Sequence, residues 1–125
     1  MKKIVSIYIL FVLITMGCKK NEDVKKILAD RLIFIPTVFV PDGWNNVFLP
    51  AGFGITTVVE YSMKIFDFDG HELFKSNDVN IGWNGLNNDG HAFPNGLYLY
   101  DIWFLFDDGE EITAKGTVEI SQKGW

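Results

Sequence analysis

The rhythm of apolar and polar positions changes three times along this chain. Residues 4–16 form a predominantly apolar run behind Lys2 and Lys3, ending at Gly17-Cys18. Residues 19–31 are charged and polar, with Val24, Ile27 and Leu28 at helical spacing. From residue 32 onward, runs of β-branched and aromatic residues alternate with Gly, Asn and Pro clusters, which is the signature of strands and turns. The runs at 32–40, 47–49, 55–68, 71–74, 97–106 and 111–121 read as strands. Pro36 bends the first run and Pro50 closes the second. Asp67-Phe68-Asp69-Gly70 and Asp107-Asp108-Gly109-Glu110 read as hairpin turns. Residues 80–96 carry turn signals throughout and form a folded connection.

The run at 97–106 is apolar at nearly every position, so it is expected to be central or covered on both faces, with Trp103 in the core. Gly96 precedes it at a sharp bend, where a positive φ is expected. Residues 111–121 alternate, with Val118 and Ile120 on one face, and are expected at a sheet edge. About seven short strands in a domain of this size predict an all-β, immunoglobulin-like β-sandwich. A signal-peptide helix and a flexible tether are expected to precede it.

The apolar run at 4–16 is shorter than the ~20 residues needed to cross a bilayer, so it reads as a signal peptide. Cys18 is the only cysteine. Its placement resembles a bacterial lipobox, with Thr15 where an aliphatic residue is usual. The reading is therefore a lipoprotein signal at 1–17, lipid on Cys18, a tether at 18–31 and one domain at 32–125. Two acyl chains suffice for stable attachment. The net charge is −5, and loss of Lys2 and Lys3 takes it to −7. Nucleic-acid binding calls for a basic surface, so no nucleic-acid partner is expected.

Candidate chemistry is sparse. Asp42, Asn45 and Asn46 place oxygen donors in one loop, a weak Ca²⁺ candidate because that ion takes six to eight oxygens. Asn87-Asn88-Asp89-Gly90 reads as a turn instead. His71 and His91 lack partners at zinc-ligand spacing. No motif for an activated nucleophile or a metallohydrolase occurs, so the chain is expected not to be an enzyme and to need no cofactor. The acidic turn of Asp107, Asp108, Glu110 and Glu111 reads as a solvated tip that protects an edge. Trp83 is expected to pack beneath the turn region with its indole N–H on a carbonyl. Trp44 and Trp125 are the candidates for exposed aromatics.

Five segments, in order, resemble the gliding-motility-associated C-terminal domain, the type B sorting domain of the type IX secretion system in Bacteroidota. Residues 39–48, with Pro41 and Gly43, resemble its opening Phe-Thr-Pro-Asn-Gly-Asp-Gly motif, two residues short. Residues 61–74, with Gly70, resemble its strand–turn–strand core. Gly82-Trp83-Asn84-Gly85 resembles Gly-Trp-Asp-Gly, Pro94-Asn95-Gly96-Leu97-Tyr98 resembles Pro-x-Gly-x-Tyr, and Lys115-Gly116-Thr117-Val118 resembles Lys-Gly-x-Val. The resemblance implies an immunoglobulin-like sandwich recognised by protein components of the secretion or gliding apparatus. The family usually ends a large cargo protein, whereas here the domain is expected to follow a lipid anchor directly. The expected role is a non-catalytic recognition or sorting module on an outer-membrane lipoprotein, periplasmic or surface-exposed. The alternatives are a carbohydrate- or calcium-binding envelope module and a truncated cargo remnant.

Overall fold

The computed structural model describes residues 21–122; the signal at 1–17, Cys18 and Trp125 lie outside them. The described chain is mostly β. Helix α1 (Asn21–Asp30) is followed by β1 (Val38–Phe39), a 3₁₀ turn (Phe53–Thr57), β2 (Val58–Phe66), β3 (Glu72–Ser76), β4 (Gly96–Phe106) and β5 (Glu111–Ile120). The strands form one sheet in the order β1-β5-β4-β2-β3. All pairings are antiparallel except β1 with β5, which is parallel and joins Val38 to Glu119 and Phe39 to Ile120.

Alternation along the strands sends one set of side chains inward. Tyr61, Met63 and Ile65 of β2, Ile102, Phe104 and Phe106 of β4, and Ile112, Val118 and Ile120 of β5 are buried on that face. The layer opposite is irregular backbone, pinned by single bridges between Phe34 and Ala51, Phe48 and Trp83, and Leu86 and Ala92. The fold is thus sandwich-like, but the described residues hold five strands where about seven were expected. The runs at 32–40 and 47–49 contribute only β1 and two isolated bridges, at Phe34 and Phe48. Pro36, Pro41 and Pro50 remove the N–H groups that a continuous ladder would use.

Residues 21–30, expected within a tether, are a helix packed against β5. Val24 and Leu28 are buried, and acidic Glu22 and Asp23 sit favourably in the first turn. The helix ends in a Schellman motif: Ile33 N–H donates to the Leu28 carbonyl (2.8 Å) and Leu32 N–H to that of Ala29 (3.0 Å). Leu32 takes the left-handed position at φ 61°, where glycine is usual. Arg31 then reaches the β4–β5 turn. Its guanidinium contacts Asp108 (2.7 Å) and Glu110 (2.8 Å) and lies 4.0 Å from the centre of the Phe106 ring. Hydrogen bonding to Asp108 holds the Arg31 pKa above its ordinary value, and the same contact lowers that of Asp108. Asp108 and Glu110 are therefore partners of Arg31 and not merely solvated acids at a tip.

Trp103 corrects the expected facing of β4. It belongs to the outer face and is half-buried, and its indole N–H donates to Glu111 Oε1 at 3.0 Å. β4 is central, yet only one of its faces is covered. A dense apolar run marks a central strand without showing which side carries the second layer.

Candidate functional site

Phe39, Phe48, Trp83 and Tyr98 from the motif segments, with Phe93, build an aromatic box in the inner layer. The Trp83 ring lies 5.4 Å from Phe39, 5.3 Å from Tyr98 and 5.9 Å from Phe93, centre to centre. Phe48 bridges Trp83 through backbone bonds of 2.8 and 2.9 Å, and its ring packs at a tilt against Tyr100, 5.4 Å centre to centre. Trp83 is wholly buried, as expected, but its indole N–H has no hydrogen-bond partner among the described residues, contrary to the expected carbonyl. Gly85 (φ 78°) lets Pro41 pack against it; an added Cβ would lie 3.1 Å from Pro41 Cγ. Gly43 has an ordinary backbone and sits beside Val40.

The Pro94–Tyr98 segment is a built corner. The Tyr98 hydroxyl donates to the Pro94 carbonyl at 2.6 Å. The Asn95 side chain makes two hydrogen bonds with the Gln122 backbone, both 2.9 Å. Gly96 has φ 146°, as its position predicted, and open space around it. Gly96→Ala is therefore expected to cost only the backbone strain of about 1 kcal/mol, read as a drop in the urea midpoint.

Two turns share the pattern Asx-x-Asp-Gly-His. Asp67 Oδ1 accepts from the N–H groups of Asp69 and His71 (both 2.9 Å), and Asn87 Oδ1 accepts from those of Asp89 (2.9 Å) and His91 (3.0 Å). Gly70 and Gly90 take φ 88° and 82°. The pentapeptide is visible twice in the sequence, and it is what fixes both turns. In the first turn the ligand atoms of Asp67, Asp69 and His71 lie within 4.8 Å of one another. The Asp67 oxygens are already engaged there, Oδ2 pairing with His71 Nδ1 at 2.9 Å.

That pair titrates with opposite signs. The His71 backbone N–H lowers the Asp67 pKa, and the hydrogen bond to Asp67 raises that of His71. The His71 contribution is complete below its unfolded pKa of about 6.5 and fades as pH rises through the higher folded value. The Asp67 contribution is complete above about 3.9 and fades as pH falls through the lower folded value. The turn is thus tightest between roughly pH 4 and 6.5. Asp67→Asn is expected to shift the His71 NMR titration midpoint downward; an unchanged midpoint would contradict the pairing.

The Asp42, Asn45 and Asn46 side chains share one exposed loop, and Trp44 at its tip is fully exposed. The Asn45 side-chain amide donates to the Val38 carbonyl at 3.0 Å, so part of the set serves the loop itself. The loop brings one carboxylate, few donors for an ion that takes six to eight oxygens.

Gly116 sits under Tyr100, whose hydroxyl oxygen would lie 2.6 Å from an added Cβ. Burial raises the Tyr100 pKa. Beside Gly116, between α1, residues 33–37 and β5, opens a groove of about 440 Å³ with Val24, Leu28 and Ala114 among its walls. The expected edge character of 113–121 is present for most of its length: β1 covers only Glu119 and Ile120. No helix among the described residues is long and apolar enough to cross a membrane.

The family model of the CHU_C type IX secretion signal domain matches residues 33–120, from the helix exit to the last residue of β5. No curated protein matches the chain.

Proposed function

The chain belongs to the CHU_C type IX secretion signal domain family, and on that premise we propose that it is a non-catalytic recognition module that components of the secretion apparatus bind. Membership carries a sorting-related role and a cell-envelope or secreted location. The finer reading is a lipoprotein anchored through Cys18, with β5 as the surface that is read. The single observation behind it is that the family match takes in the whole sheet and nearly all of the inner layer. The motif glycines and aromatics shape the core and its corners, which leaves the exposed edge of β5 for contact.

A reporter fused ahead of residues 21–125 tests this in a host with a type IX system. The fusion begins at 21 because α1 is packed on the sheet. Secretion that is lost on removing 113–125 is the expected result. A reporter kept in the periplasm by every fusion would reject the sorting reading. Palmitate labelling that persists in the Cys18→Ser protein would reject the lipid anchor.

A further inference from the structure

We propose that the groove beside β5 receives an extended, acidic segment of a partner protein, added as a further strand to the sheet. This rests on the recognition reading above and names the chemistry of the partner. Four features of the groove carry it.

Backbone groups come first. The N–H groups of Glu119 and Ser121 point away from β4 and donate to the carbonyls of Thr37 (2.9 Å) and Phe39 (3.1 Å). β5 keeps an unbroken register with β4, so the N–H groups of Thr113, Lys115 and Thr117 point the same way. Among the described residues no backbone group meets them. β1 thus begins a pairing that the rest of the edge leaves open, and an added strand continues it.

The second feature is the wall. Val24 and Leu28 of α1 and Ala114 of β5 make it apolar, and the space of about 440 Å³ takes several side chains. Gly116 adds no side chain on this face. Third, Tyr100 lines the groove, and its hydroxyl lies over Gly116. That hydroxyl can donate to a carbonyl or a carboxylate.

Charge is the fourth. Lys25 and Lys115 line the groove and no acid does, in a chain of net charge −5. Lys115 is held only loosely, 3.8 Å from Asp101 and largely exposed, so a carboxylate can recruit it. Lys115 lies on the outer face of β5 and Ala114 on the inner. An added strand therefore meets apolar wall with one set of side chains and Lys115 with the other, which selects alternating apolar and acidic residues. A second copy pairing antiparallel about Lys115 sets lysine against lysine and Glu111 against Glu119, which disfavours self-association.

The test uses the full chain and a short capped peptide of alternating valine and glutamate, with a valine–lysine peptide for comparison. Hydrogen exchange followed by mass spectrometry reads the amides, and anisotropy of the labelled peptide reads affinity. The valine–glutamate peptide is expected to slow exchange in 111–120 and to bind roughly tenfold more weakly when Lys25→Glu and Lys115→Glu are combined, both being exposed changes. Protection on another element, no protection, or equal binding of the lysine peptide would overturn the proposal. So would protection of 111–120 that appears without peptide, whether it grows with protein concentration (a second copy) or is lost on deleting residues 1–20 (the chain's own leader). The secretion assay stands apart: peptide binding without reporter secretion rejects the sorting reading alone, and secretion without peptide binding rejects this docking mode alone.

Discussion

Trp83→Ala is expected to cost about 3–5 kcal/mol of stability, the range for a large aromatic deleted from a packed core. Trp83 is wholly buried, and Phe39, Phe93 and Tyr98 all pack against its ring. The isolated bridge to Phe48 also hangs on its position. A domain of this size has about 5–15 kcal/mol in total, so a large part of its margin goes. Trp103→Ala is the informative contrast, since that ring is half-buried on the outer face and is expected to cost under about 2 kcal/mol. Urea unfolding of the two variants checks the order. Equal losses would mean that the face assignment of β4 is wrong.

The second large effect is expected at Gly52, where two penalties coincide. Its backbone has φ 123° and ψ 169°, a region that residues with a Cβ avoid at a cost of about 1–3 kcal/mol. An added Cβ would also fall 2.1 Å from the Leu32 carbonyl oxygen. The clash is with backbone at the end of α1, so the 3₁₀ turn and the helix cap must separate. Gly52→Ala is expected to cost about 3 kcal/mol or more. Gly70→Ala serves as the reference: its φ is positive too, but nothing lies within 4 Å of the new Cβ, and about 1 kcal/mol is expected. Unfolding midpoints that coincide for the two variants would show that the turn does not pack against the helix end.

Much of this architecture is legible from residue order. The hairpin at Asp67–Gly70, the long strands β2, β4 and β5, and the bend at Gly96 follow from alternation and turn chemistry. These are local signals, and local physics decides them. What was illegible depends on partners far away in sequence. Val24 and Leu28 looked like a bare turn of helix because their burial is supplied by β5. The role of Arg31 lies with Asp108 and Glu110, at separations of 77 and 79 residues. Trp103 and Phe104 are equally apolar neighbours, and only the second layer determines which of them is buried. The motif segments are readable as a set, whereas the meeting of Phe39, Phe48, Trp83 and Tyr98 in one aromatic box is not. The groove gave no motif at all, because its walls come from a helix, an irregular segment and a strand edge.

The parallel pairing of β1 with β5 has a consequence for how the chain reaches its folded state. Among the described residues, the first strand to emerge from the ribosome finds its partner only in the last, 81 residues later by the Val38–Glu119 register. The clasp of Asn95 on Gln122 lies later still. Until those final residues exist, β4 is an edge and the inner face stands open, a state prone to aggregation and to proteolysis. Closure is therefore a late, non-local event, and such topologies fold slowly. A chain cut short before β5 has no sheet edge of the native kind to offer. The fold thus closes only once β5 has been made, and the strand edge that we propose as the recognition surface forms with it.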